Sequence, residues 1–487
     1  MKLANRTIAL GGGLFFLVAL IASVLTAADR IGSVWATVLS LAVAFGLAIG
    51  AFRLSLAGRL SGRVFLAVAL GLGFLIRLAW ILWNPTPPAS DFQVMYEAAR
   101  AAAAGDFAFS QKPYYTNFPY QFGFTMYQAL VIRLFGDSLF ALRLLNVLFG
   151  VGTAAILYLA GSRAYNESCG RIAALVYLLY PPNIIMGSVL TNQHISGFLL
   201  LTGCLVLLRG RHSKLAWLPA GVLLALGQLM RPIAIVYLAA IVLFFLASLW
   251  KRRPFFPRYA LAAGARVAGM IAAYYLVLAL ASASLNVGGV TDRSLFGGDK
   301  YWKFMVGLNA STDGRWSAED AKYSNSYPAG EERSRAQLVK IRERLSDPAE
   351  TAALMGRKLV QLWGGADASA YWSLQGTGRE NDWDKPLNRV ERAMYVLLCA
   401  FGCAAMVSLW RRGRSGEAAF YTLLLLLYAG IHLLIEIQPR YRLDLIPALL
   451  LVQSYGAYRV YGWVRELRLP TGLPGARERD RTGGFGA

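Results

Sequence analysis

Charge is scarce in this sequence, and negative charge scarcest. Asp and Glu number 27 in 487 residues against 49 Lys and Arg, and charged residues make up only 16%. A soluble chain of this length needs more charge to cover its surface, so a soluble globular protein is excluded. Cysteine is almost missing, at Cys169, Cys204, Cys399 and Cys403 alone. Three of these fall inside apolar runs and one in a predicted turn, which argues against a disulfide framework or a zinc site. No small-residue cleavage site follows the first apolar run, so that run reads as a retained span. Internal repeats are missing as well.

What is present is apolar: 56% of the residues are hydrophobic. Runs of about 18 residues or more, each long enough to cross a bilayer, recur along the chain. They predict an all-α polytopic membrane protein with about 12 transmembrane helices, near 7–28, 31–51, 64–83, 140–162, 171–190, 195–208, 215–230, 233–250, 259–284, 391–410, 417–436 and 443–463. The expected organisation is two N-terminal spans (1–63), a core (64–284) carrying an outer loop (84–139), an outer loop domain (285–390), C-terminal spans (391–464) and a basic, disordered tail (465–487).

The net charge of +22 does not point to nucleic acid, because the basic residues punctuate the gaps between apolar runs. With the N-terminus inside, Lys2 and Arg6, Arg53, Arg59 and Arg63, Arg163 and Arg171, Arg209, Arg211 and Lys214, "KRRPFFPR" (251–258), "RRGR" (411–414) and the tail all fall on the cytoplasmic side. The short outer loops keep only Arg30, Arg231, Arg440 and Arg442, as the positive-inside rule requires.

Against that background an acid in the first long outer loop needs a reason. In "SDFQVMYEAARAAAAGDF" (90–107), Ser90 with Gln93 reads as a capping box, Asp91 favours the helix dipole, and Gly105 ends the helix. Phe92, Met95, Tyr96 and Ala99 form an apolar stripe, so the helix is expected along the outer membrane interface, with Asp91 at a fixed depth beside the lipid headgroups. The second feature is "EIQPRYRLDLIP" (436–447), which sets Arg440 and Arg442 at an outer span end, where Arg231 of "LMRP" also falls. Snorkelling is one account of these arginines; phosphate binding is the other. A carboxylate able to take a proton from a hydroxyl, beside guanidinium groups able to hold a leaving phosphate, suits group transfer from a lipid phosphate.

The layout resembles the GT-C superfamily of integral-membrane glycosyltransferases, near the protein O-mannosyltransferase, aminoarabinose transferase and polyprenol-phosphate-mannose mannosyltransferase branches. The resemblance is carried by the 90–107 segment, "FPYQFGFTMYQALVIRLFG" (118–136), "GQLMRP" (227–232), "GDKYWKFMVGLNASTDGRWS" (298–317) and "QPRYRLDLIPALL" (438–450). It implies a polyprenyl-phosphate-sugar donor, Asp91 as catalytic base, inversion at the anomeric carbon, and the lipid phosphate leaving towards Arg440. Substrate-binding candidates are Arg440, Arg231, Arg442, Tyr441, Tyr96, His194, Lys300 and Glu436, with His432 and Glu436 as a polar pair able to orient Arg440. Relatives that pair two acids at this loop differ from this chain, where Phe92 follows Asp91, so no metal ligand is assigned and a divalent metal cofactor stays open. His194, in "TNQHI", stands where many relatives have an acid, and a structural role fits it as well. Asn309-Ala310-Ser311 is a glycosylation sequon.

Expected partners are the lipid-linked donor, a lipid, glycan or protein acceptor, and membrane lipids, with no nucleic acid. The expected location is the bacterial plasma membrane, multi-pass, with the site facing the extracytoplasmic side. An O-antigen-ligase-like polymerase shares the large late outer loop, but the acid-bearing early helix favours the transferase. A transporter would show matched halves.

Overall fold

A computed structural model describes residues 2–31, 61–210, 213, 215–250, 257–412 and 416–468. Residues 32–51 of the expected span 31–51, the basic residues Arg53, Arg59, Arg211 and Lys214, most of the "KRRPFFPR" segment, Gly413 and Arg414, and residues 469–487 of the basic tail lie outside the described residues, while 465–468, expected in the disordered tail, end the helix Ile446–Arg468.

Every regular element among the described residues is helical. Six helices are long and apolar enough to cross a membrane, beginning with Asn5–Ala27, Gly62–Trp83 and Leu139–Ala164 and continuing with Leu261–Val287, Glu380–Arg412 and Glu417–Leu434. Shorter apolar helices, Gln193–Arg209, Trp217–Met230 and Ala234–Leu249, lie between them. The single span expected over 171–190 is instead two helices, Glu167–Leu179 and Pro181–Ser188, bent by 63°. Pro181 and Pro182 follow Tyr180 directly, and proline can start a helix there but cannot continue one. The helix expected over 443–463 starts later than that. Its approach is a 3-10 turn, Pro439–Asp444, before the helix Ile446–Arg468.

Helix starts follow their side chains: Ser61 accepts from the Val64 N–H, Ser138 from Ala141 and Asn166 from Cys169. Outward leucines such as Leu72, Leu75, Leu276 and Leu280 remain exposed, as lipid-facing positions of spanning helices do. Close packing relies on small residues. A Cβ at Gly456 would come within 1.7 Å of the Phe401 carbonyl, so Ile446–Arg468 meets Glu380–Arg412 backbone to backbone. All four cysteines are free thiols.

Between Leu261–Val287 and the start of Glu380–Arg412, the segment expected as an outer loop domain folds into short helices: Trp302–Gly307, Ala318–Asn325, Glu331–Arg344, Pro348–Gly364 and Ser369–Leu374. The break expected at Asp347-Pro348 is present, with Asp347 accepting from the Ala349 and Glu350 N–H groups. Asp320 ties the domain together by accepting from Asn309 and Arg344. Asn309 is therefore buried and engaged, and the sequon is not offered to solvent. Lys358 fastens the domain to the bundle, donating to the carbonyls of Gly307, Leu433 and Ile435 at 2.6, 2.8 and 2.8 Å.

Candidate active site

The segments expected on one side of the membrane meet around a cavity of about 370 Å³. Its wall includes Asp91, Tyr114, Arg231, Lys303, Glu436, Arg440 and Tyr441.

The helix Asp91–Ala103 is placed by the linker that precedes it. Asn84 donates to the Ser373 carbonyl at 2.7 Å, Thr86 shares a hydrogen bond with Ser188 at 2.7 Å, and Arg143 donates to the Thr86 carbonyl at 2.6 Å. Phe92, Met95 and Ala99 are buried, as the stripe predicts. The capping box does not form. Ser90 has φ 53°, its side chain makes no cap bond, and Gln93 reaches forward to Glu97 instead. That backbone turn aims Asp91 at the cavity, where Oδ2 lies 3.5 Å from Arg440 Nη2.

Arg440 is held from several directions. Its guanidinium packs against an edge-to-face pair of rings, Phe92 and Trp372, 5.0 and 4.8 Å from their centroids. Its Nε donates to Gln438 at 2.7 Å, Gln438 donates to Glu436 at 2.7 Å, and Glu436 pairs with Lys303 at 3.0 Å. Glu436 thus orients Arg440 through Gln438. The expected pairing with His432 is corrected: the helix ends at Leu434, so Glu436 lies outside the register that would align them, and His432 Nδ1 bonds the Tyr428 carbonyl at 2.8 Å. Burial alone would raise the Glu436 carboxyl, yet Lys303, Gln438 and Arg440 hold it below the ordinary value. Burial would likewise lower the Lys303 ammonium, but Glu436 and the phenols of Tyr441 and Tyr120 keep it well above the lysine range.

Arg231 enters from the turn after Trp217–Met230 and pairs with Asp444 at 2.9 Å, over the ring of Tyr441. Gly123 permits this approach: a Cβ there would sit 2.0 Å from the Leu229 carbonyl.

Four candidates stand elsewhere. Arg442 is buried on the far side of the 3-10 turn, against Asp367 at 3.2 Å and the ring of Tyr395. Three residues per turn send positions two apart in different directions, so Arg440 and Arg442 cannot share a cavity. His194 points into the bundle and contacts the Met186 carbonyl. Tyr96 turns outward to Asp137, which also pairs with Arg100. Lys300 is exposed and Lys303, one helical step on, takes the inward position. The residues missed are Gln438 and Asp444. Asp444 had a signal, since an acid at the threshold of an apolar span asks for a named partner; Gln438 had none beyond its place two residues before Arg440. The donor set does not suit a divalent ion, because the charged partner of Asp91 is a guanidinium and no group of three His, Cys, Asp or Glu gathers among the described residues.

Residues 122–277, from the helix behind Asp91 to the span before the loop domain, match the family model described as dolichyl-phosphate-mannose-protein mannosyltransferase. No curated protein matches the chain. Among solved structures, ArnT from Cupriavidus metallidurans bound to undecaprenyl phosphate is similar at 14% identity and a TM-score of 0.34, over 84% of this chain and 81% of that one. The Archaeoglobus fulgidus oligosaccharyltransferase in its apo form is similar at 13% identity and a TM-score of 0.32, over 86% of this chain and 59% of that one. Over residues 122–277 the all-helical chain is thus similar to a family of glycosyltransferases, and that stretch includes Arg231 but neither Asp91 nor Arg440.

Proposed function

We propose that the protein transfers a single sugar from a polyprenyl-phosphate donor to an acceptor hydroxyl on the extracytoplasmic side of a bacterial plasma membrane. The observation that carries this reading is the convergence of Asp91 and Arg440, 3.5 Å apart, in a cavity that also holds Arg231 and Lys303. Asp91 takes the proton of the acceptor hydroxyl as its oxygen bonds to the anomeric carbon. The bond from that carbon to the phosphate oxygen breaks on the opposite face, which inverts the configuration. The electron pair leaves with the lipid phosphate, whose added negative charge falls on Arg440. Tyr441 carries both Arg231 and Lys303 over its ring, 5.1 and 5.6 Å from the centroid, which keeps the two cations together at the cavity.

The test is incubation of purified protein with radiolabelled polyprenyl-phosphate sugars and membrane extract. Label should pass to an extract component with the wild type. Asp91→Asn should lower transfer by about a hundredfold or more while leaving the fold intact. Arg440→Gln should raise the donor KM by about tenfold. Near-normal turnover in the Asn variant would remove Asp91 as the base.

A further inference from the structure

We infer that a lipid phosphate entering the cavity takes Arg440 by displacing Asp91, so that the carboxylate is released to act as base only once the phosphate is seated. This rests on the transferase reading above and adds an order of events to it.

Three cations line the cavity, Arg231, Lys303 and Arg440, and each has an acid partner. Arg231 is paired with Asp444 at 2.9 Å, Lys303 with Glu436 at 3.0 Å and Arg440 with Asp91 at 3.5 Å. All three cations of the lining are therefore already paired with an acid, and an arriving anion has to replace one of those acids. Two are fixed. The Asp444 side chain is 1% exposed and also accepts from Tyr428 and Gln193. The Glu436 side chain is 4% exposed and also accepts from Gln438. Taking either away from its cation would strand a buried charge. Asp91 is 46% exposed, its pair is the longest, and among the described residues Arg440 is its one charged contact.

Arg440 itself is not free to follow. Gln438 holds its Nε, Gln193 donates to its main-chain carbonyl at 3.0 Å, and the Phe92–Trp372 ring pair packs against it. The acid moves and the arginine stays. A phosphate gains more from the exchange than Asp91 loses, because Asp91 makes one 3.5 Å contact and a phosphate presents several oxygens to the guanidinium.

Binding of polyprenyl phosphate, which has no sugar to transfer, tests this on the full-length protein in lipid nanodiscs. Asp91→Asn should bind it about three- to tenfold more tightly than the wild type, since no carboxylate then competes for Arg440. Asp91→Ala is the second variant and should show the same gain. The gain should vanish when either change is made on Arg440→Gln. Inorganic phosphate should follow the same ranking at weaker affinity, and polyprenol, which has no anion, should show none. Equal binding by wild type and both Asp91 variants overturns the proposal. So does a gain that survives Arg440→Gln, which would mean that Asp91 merely repels the phosphate, or an equal gain for polyprenol. Because the probe cannot turn over, such a result leaves sugar transfer untouched. Loss of the transferase reading would instead show as turnover by Asp91→Asn.

Discussion

At the scale of single residues, position in the chain says less than the partner each side chain finds. Arg440 and Arg442 are two residues apart, yet one lies in the cavity and the other is buried against Asp367 and Glu391. Glu436 serves the site because Lys303 and Gln438 share its carboxylate, which gives it a pH signature. Its folded-state pKa is held below the ordinary 4.5, so an unfolded chain takes up the proton first as pH falls. Its contribution is complete above about pH 4.5 and is lost as pH drops through the lower folded value. Thermal melts from about pH 7 down to about pH 3 should therefore show an acid-side loss that Glu436→Gln flattens. At neutral pH the same variant should be less stable by about 2 kcal/mol, through the lost charge-assisted bonds. A wild-type acid limb reproduced in the variant would assign that loss to other carboxylates.

At the scale of elements, the helix Asp91–Ala103 shows where a local pattern holds and where tertiary contacts override it. Its apolar stripe was legible because periodicity at 3.6 residues survives in any amphipathic helix. Its start was not. Ser90 carries the letter of an N-cap but the backbone of a strained turn, φ 53° and ψ −134°, fixed by the linker bonds at Asn84 and Thr86. Tertiary contacts override a local cap when they set the chain direction. Ser90→Gly should then raise stability by about 0.5–1 kcal/mol, since glycine reaches this conformation without steric cost and no cap bond is lost. A thermal shift downward, as expected on removal of a working cap, would contradict that account. The broken span at Tyr180-Pro181 teaches the same point from the other side. Its length and hydropathy suit one span, and two consecutive prolines decide against it.

For the whole molecule, the loop domain and the bundle are joined by a seam that also builds the site. Lys358 donates to three carbonyls from two separate segments, while the Glu436 N–H bonds the Lys303 carbonyl and the Ile437 N–H bonds that of Gly314. Lys303 reaches Glu436 because this seam is closed. Lys358→Met keeps the length of the side chain and removes its donors. It should cost about 3 kcal/mol and open the loop domain to limited proteolysis while leaving the spans protected. Uniform resistance to protease would show that the domain docks by other contacts.

Composition and periodicity decided that this chain lives in a membrane as a set of helices, because burial of backbone in lipid leaves few alternatives. The spacing of basic residues and the placement of long loops also brought the right segments into consideration: the expected outer ends of several spans do line one cavity. Asp91, Arg231, Glu436, Arg440 and Tyr441 were visible as polar residues in places where lipid-facing chains avoid them. Which of the candidates share that cavity was decided only by the tertiary structure. Whether a polar side chain faces inward, outward or across a turn depends on angles of about a hundred degrees per residue and on partners far along the chain, 133 positions for Lys303 and Glu436 and 213 for Arg231 and Asp444.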